Sequence, residues 1–309
     1  MRGILLFLGL TLCSAAVGAD RQPDFYCKQI SIESGLSQSS VTSLLRDRRG
    51  LLWIGTRSGL NLFDRDDLTN YFHDRDDARS IPGNYIYHLS EDCRGRIWVA
   101  TDGGLAVYDR STDGFRTVTE ELVFSSAVVG ERIYFGGKKV LYRYDCTTDE
   151  MENIYFTGIE PYNVSPDYHI TGIERLGPHS LLLATPGKGV FRYDDRSRKV
   201  GPFLELPSTA TLTSLYVSAD GTVWLSLFKR GLFHYDASGR FLRRYGSADS
   251  GLSNDIILDL AEYNGRLWLA TDGGGINILN LATSEVRILR HIPGDAGSLP
   301  VPSTTVLST

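Results

Sequence analysis

Residues Gly35 to Asp64 read GLSQSSVTSLLRDRRGLLWIGTRSGLNLFD, and the second half of this phrase returns along the chain. Leu51 to Asp64 (LLWIGTRSGLNLFD) is followed by RIWVATDGGLAVYD at Arg96 to Asp109 and RIYFGGKKVLYRYD at Arg132 to Asp145. SLLLATPGKGVFRYD at Ser180 to Asp194, TVWLSLFKRGLFHYD at Thr222 to Asp236 and RLWLATDGGGINILN at Arg266 to Asn280 complete six copies. Their closing residues are spaced 45, 36, 49, 42 and 44 apart. Each copy is a Trp-centred apolar run, a Gly-containing turn, and a second run ending in an aromatic residue and an acid or amide. A shorter apolar run precedes it, as in VTSLLRDRRG from Val41, LTSLYVSADG from Leu212 and ILDLAEYNG from Ile257. A looser one follows, as in FLRRYG from Phe241. Nothing here has helical periodicity, so each unit predicts four short antiparallel strands.

A four-stranded unit of about 40–45 residues is the pattern of a propeller blade. One small sheet cannot cover both its faces, whereas sheets stacked radially cover one another. The fold class is therefore all-β, a β-propeller with Trp53, Trp98, Tyr134, Leu182, Trp224 and Trp268 between neighbouring blades. A β-sandwich does not repeat one motif six times, and β-helix coils are much shorter. The repeats fall near 35–72, 80–118, 122–157, 167–206, 210–245 and 251–290, and 297–309 starts a further one. Phe25 to Leu62 resembles Phe241 to Ile278, 216 residues later, so the segment near Phe25 reads as an outer strand. SLPVPSTTVLST from Ser298 resembles SIPGNYIYHLSE from Ser80 and opens an inner strand. The expectation is six repeats plus the start of a seventh, an incomplete ring from an N-terminal fragment, a split gene product or a truncated chain.

Arg2, the apolar run Ile4 to Leu12 and the small residues Val17-Gly18-Ala19 predict a signal peptide over 1–19, hence export to the periplasm. Leu12 is too large for the usual lipid-attachment site before Cys13, and no later stretch is apolar enough to span a bilayer. Of 309 residues, 32 Lys+Arg against 37 Asp+Glu give a charge of −5. That balance argues against broad nucleic-acid binding, which needs a basic field. Cys27, Cys93 and Cys146 are odd in number and far apart, suggesting neither zinc nor a disulfide framework. No cofactor or metal is expected. Asp64-Arg65-Asp66-Asp67 and Asp74-Arg75-Asp76-Asp77 lack the calcium-loop spacing, and Gly103-Gly104 and Gly273-Gly274-Gly275 precede no helix that would make them phosphate cradles.

The pattern GL-S…D-x-x-G-x-[LI]-W-[IV]-[GA]-T…G-[LI]…[YF]-D resembles the repeat of the two-component regulator propellers. These form the periplasmic sensor region of hybrid two-component histidine kinases in glycan-degrading Gram-negative bacteria. Copies three and four depart from it, with Gly136-Gly137 for Ala-Thr and Leu182 for Trp. The resemblance implies a larger protein: a second propeller, an immunoglobulin-like module, a membrane helix, kinase, receiver and DNA-binding domains, and a possible homodimer. No phosphorylatable His motif or nucleotide loop occurs in this sequence, so kinase activity is not assigned to it. The chain reads as a ligand-binding sensor module for a glycan or other small polar ligand.

Propeller geometry puts the loop entering each innermost strand and the loop between the second and third strands at one end of the blade. Candidate ligand residues there are Tyr85, Tyr168, His169 and Asp255 in the first loops. Arg57, Asp102, Lys138, Lys188, Lys229, Arg230 and Asp272 stand in the second. Tyr and Asp suit sugar hydroxyls, and the cations favour a uronate or sulfated unit. Two other classes compete. A propeller enzyme of the lyase or lactonase type would need a His/Glu pair at the mouth, where only His169 is expected. A protein-binding scaffold would need a large apolar face.

Overall fold

In a computed structural model of the chain, residues 5–7, 11–15, 25–155, 169–293, 298–299 and 306–308 are described. Six four-stranded antiparallel sheets follow one another, each in simple meander order. Blade 1 covers 41–71, blade 2 86–119, blade 3 123–155, blade 4 172–204, blade 5 212–245 and blade 6 257–289. The innermost strands are Val41–Arg46, Ile86–Glu91, Val123–Val129, Gly172–Gly177, Leu212–Val217 and Ile257–Tyr263. Consecutive inner strands pack side by side, and a seventh, Val306–Ser308, lies between those of blades 6 and 1. The expected architecture of six repeats and the start of a seventh is what forms. Val306–Ser308 pairs antiparallel with Leu5–Phe7, and Phe25–Gln29 with Thr11–Ala15. The strands paired with these two segments thus come from the stretch whose composition predicts a leader.

The core sits between blades. Trp53 and Leu60 of blade 1 pack against Ile86, Leu89, Ile97 and Val99 of blade 2. Trp98, Leu105 and Val107 of blade 2 do the same to blade 3. Leu299 and Leu307 cover Trp268 of blade 6. All six expected inter-blade residues are buried, none more than 3% exposed. An aromatic side chain in such a site contributes about 3–5 kcal/mol relative to alanine.

The acid six residues before the tryptophan explains the D-x-x-G-x-[LI]-W pattern. The Asp92 Oδ1 accepts the N–H groups of Arg94 (2.9 Å) and Arg96 (3.0 Å), closing the turn between the first two strands. Its Oδ2 accepts the Trp98 indole N–H (2.9 Å) and Arg96 Nε (2.7 Å). Asp47 repeats this with Arg49 N, Leu51 N, Trp53 Nε1 and Arg110 Nη2 of the next blade. In blade 5 the Ser218 hydroxyl takes the Trp224 indole N–H at 3.0 Å. The remaining motif positions are equally structural. Thr56, Thr101, Thr185 and Thr271 donate to the carbonyls of Gly59, Gly104, Gly189 and Gly275 across the next turn. Gly104 has φ 123°, and a Cβ there would strike the Thr119 carbonyl oxygen. Ser37 of the Gly-Leu-Ser element is held by buried Asn61, and Ser253 by Asn277 in the same way.

Cys93 and Cys146 correct the expectation of scattered cysteines. Both are free thiols, and the fold brings them together between blades 2 and 3. Burial, followed by the Cys93 side chain as a neighbour, pushes the Cys146 thiol up to about 12.

Burial opposes the charge on Asp92 and Asp47, but the hydrogen bonds from Trp98 and Arg96, and from Arg110 and Trp53, outweigh it and hold both below the usual range. A depressed acid stabilises the fold above its unfolded value, about 3.9, and that contribution fades as pH falls through the folded one. Asp92→Ala is therefore expected to cost about 3–5 kcal/mol in urea unfolding at neutral pH. The gap from the parent chain should narrow below about pH 4. An Asp92→Ala chain as stable as the parent would remove the turn carboxylate from this account.

Candidate ligand site at the central channel

The inner strands start at one end of the ring, and there the two loop sets meet as expected. Arg57, Asp102, Phe228 and Asp272 each donate a backbone N–H to the residue entering the same blade's inner strand: Ser40, Tyr85, Thr211 and Ile256. In blades 1, 2, 3, 5 and 6 the inner strand then carries a bulge against its neighbour, between Val41/Ser43, Ile86/His88, Val123/Ser125, Leu212/Ser214 and Ile257/Asp259. A bulge breaks strict alternation. As a result two consecutive residues face the axis: Thr42 and Ser43, Tyr87 and His88, Phe124 and Ser125, Thr213 and Ser214, Leu258 and Asp259. Blade 4 has its irregularity later, at Arg175/Gly177, and adds Gly172 and Glu174 by ordinary alternation. The channel they line is a cavity of about 500 Å³, within the range of small-molecule sites.

An arc of four rings crosses blades 2, 3 and 4 at the mouth. Tyr85 lies 4.9 Å from Tyr87, Tyr87 5.2 Å from Phe124, and Phe124 5.1 Å from His169. All four are half-buried, leaving ring surface open. Buried His169 Nδ1 has no hydrogen-bond partner among the described residues. Asp102 fixes the start of the arc by accepting the Tyr85 N–H at 3.0 Å.

Three ionisable groups stand deeper. Burial lowers the His88 imidazole to about 4, so it is neutral near pH 7. Burial, then the Asp259 charge, raises Glu174 to about 8 against one backbone hydrogen bond. Burial raises Asp259 to about 6, opposed by the Leu307 and Leu260 N–H groups and the Ser214 hydroxyl. At neutral pH the channel thus holds a mostly protonated carboxyl, a carboxylate and a neutral imidazole, able to donate to and accept from a polar guest.

The expected site residues divide. Tyr85, Asp102, Lys138 and His169 come together, with Lys138 and His169 joined in a backbone bridge. Arg57, Lys229, Arg230 and Asp272 are exposed at the mouth end, and Lys188 is half-buried there. Lys229 lies over the Phe228 ring at 5.2 Å. The Asp255 carboxylate is taken by Ser247 N–H and Oγ. Tyr168 lies outside the described residues. The cavity wall itself comes from neighbours the sequence did not single out, chiefly Tyr87, His88, Phe124, Glu174 and Asp259. Their signal is the aromatic or polar pair following the first buried residue of each inner strand. Among the described residues, no group of three His, Cys, Asp or Glu side chains is placed to hold a metal ion.

The model of the two component regulator propeller family matches residues 35–58 and 80–103, Gly35 to Ser58 and Ser80 to Gly103, in blades 1 and 2. Histidine kinase P4 of Formosa agariphila is 38% identical over 82 residues, which is 26% of this chain and 6% of that protein. The extracellular domain of the putative hybrid two component system BT3049 from B. thetaiotaomicron superposes with a TM-score of 0.73 at 22% identity, over 89% of this chain and 38% of that one. Virginiamycin B lyase from Staphylococcus aureus gives 0.63 at 12% identity, over 83% and 86%. These two likenesses are of fold. This chain thus spans 6% of the length of histidine kinase P4 and 38% of that of the BT3049 extracellular domain.

Folding takes up a proton at Glu174 between the unfolded value, about 4.3, and the folded one, so stability is lost as pH rises across that window. Glu174→Gln is expected to raise the melting temperature at about pH 8 and to leave it unchanged at about pH 4. Equal shifts at both would show that the side chain is not ionised at a cost in the channel.

Proposed function

We infer that this chain, whose blades carry two component regulator propeller repeats, is an extracytoplasmic sensor module that binds an oligosaccharide at the channel mouth. The observation that carries the reading is the aromatic arc Tyr85, Tyr87, Phe124 and His169 above a polar channel. Sugar rings bury their C–H faces on such surfaces while their hydroxyls meet donors and acceptors around the rim. Arg57, Lys138, Lys188, Lys229 and Arg230 at the same end favour a uronate or sulfated unit, with Asp102, Asp255 and Asp272 supplying acceptors. The sequence from Met1 to Ala19 supports export by a signal peptide to the periplasm. No helix among the described residues is long and apolar enough to cross a membrane.

In this reading the module works as part of a longer sensor, with a second propeller, an immunoglobulin-like module and a dimeric kinase beyond this sequence. A ligand that prefers one arrangement of blades or propellers shifts the population toward it, and the bias is passed on. Calorimetry against a panel of neutral, uronate and sulfated oligosaccharides tests this. Binding by at least one glycan is expected, weakened about tenfold by Tyr87→Ala through loss of the stacking face. Absence of binding across the panel would count against a glycan sensor.

His88, Glu174 and Asp259 favour a second reading, a propeller enzyme with its acid–base groups inside the channel rather than at the mouth. It requires turnover of a bound glycan that Glu174→Gln and His88→Ala abolish. Binding without turnover leaves the sensor.

A further inference from the structure

The face opposite the channel mouth carries a second cavity that the sensor reading does not use. Inner strands run away from the mouth, so the turn after each inner strand and the turn after each third strand lie on that far face. There Arg48, Arg49, Arg94, Arg96, Arg110 and Arg116 line a cleft of about 520 Å³ where blades 1 and 2 meet. Such a concentration of guanidinium groups stands out in a chain of net charge −5.

Four of the six are already fixed. Arg48 binds Glu91 at 2.8 Å and the Asp92 and Cys93 carbonyls at 2.7 and 3.1 Å. Arg94 reaches Asp149 at 3.2 Å and the Thr147 carbonyl at 2.9 Å. Arg96 pairs with Asp92 and Asp149, both at 2.7 Å, and Arg110 with Asp47 at 2.9 Å. Asp109, also in the lining, spends Oδ1 on the Ser111 N–H and hydroxyl. Arg49 and Arg116 are exposed, and neither side chain has an acidic partner among the described residues. They come from different blades and open onto one space. A sulfate or phosphate ester fans three free oxygens out of one plane, so forks reaching in from two different blades can each be met, whereas a carboxylate's two oxygens lie in a single plane. The Tyr108 ring also lines the cleft, packed against Trp53 at 4.9 Å and Phe115 at 5.2 Å with the Arg110 guanidinium 6.0 Å over it.

We propose that this cleft is an oxyanion site, in which Arg49 and Arg116 together grip a sulfate or phosphate ester. The four fixed arginines are neutralised by Glu91, Asp149, Asp92 and Asp47, so the attraction for the ester comes from Arg49 and Arg116 themselves. The site is separate from the mouth by position, so it stands or falls independently of glycan binding there.

Calorimetry on the full chain at low ionic strength, with glucose 6-sulfate, glucose 6-phosphate, glucuronic acid and glucose, decides it. At least one ester is expected to bind and glucose not to bind. The double variant Arg49→Ala/Arg116→Ala is expected to weaken the ester about tenfold or more. Its melting temperature should match the parent, because both side chains are exposed and unpaired. The same titrations in an Arg57→Ala/Lys188→Ala background, which weakens any hold of the mouth on anionic sugars, should still show ester binding that depends on Arg49 and Arg116. The ratio of the two esters identifies which source the cleft prefers. The proposal is overturned if neither ester binds, if glucuronic acid binds as tightly as the esters in the mouth-variant background, if the double variant binds them as the parent does, or if the mouth variant alone abolishes binding.

Discussion

A buried carboxylate that faces a turn on one side and an indole on the other is the contact on which the ring depends. Asp47 and Asp92 each spend one oxygen on two backbone N–H groups and the other on a tryptophan and an arginine. The turn fixes where the second strand begins, and the indole fixes which face of that strand meets the next blade. A carboxylate so deep would be costly if unpaired, and four hydrogen bonds each make it tolerable. Ser218 does the same for Trp224 with a neutral hydroxyl, which shows that the geometry, rather than the charge, is the repeated element.

The signature residues of the repeat are therefore absorbed by architecture. The threonine closes the second turn, the glycine lets the outer strand pass, and the serine of Gly-Leu-Ser is anchored by an asparagine two strands away. Chemistry is left to positions where the copies differ. Tyr87, Phe124 and Thr171 occupy comparable places at the mouth in blades 2, 3 and 4, as do His88, Ser125 and Gly172 one residue on. Ring closure makes a wall from those differences, so one channel can be aromatic on one side and acidic on another.

The blade count, the strand order and the inter-blade residues were legible because burial imposes them on every copy, and six copies reveal the period even where Tyr134 and Leu182 replace tryptophan. The loops at the mouth were legible from connectivity alone. His88, Glu174 and Asp259 were not. Alternation assigns His88 and Asp259 to the face opposite Tyr87 and Leu258, and only the bulge turns both neighbours toward the axis. Glu174 reaches the axis two residues beyond Gly172, on the same face of the strand. Cys93 and Cys146 look unrelated at a distance of 53 residues, yet each occupies a turn where two blades touch. Pairings of this kind arise from the radial arrangement and leave no local trace.

Adjacent blades are fastened at the axis by single side-chain bonds. Thr42 and Thr213 donate to the carbonyls of Ile86 and Ile257, Ser125 to that of Ile170, and Ser43 and Asp259 accept the N–H groups of Leu89 and Leu307. Among the described residues the backbone contacts across the seams are isolated ones, such as Gly59 N–H to the Asn84 carbonyl and the Lys138–His169 bridge. Each seam is thus closed by the packing of buried side chains and by isolated bonds, so one wedge is held to the next by fit more than by hydrogen bonding. A guest bridging three wedges at the rim would therefore bear on several of these packed seams at once.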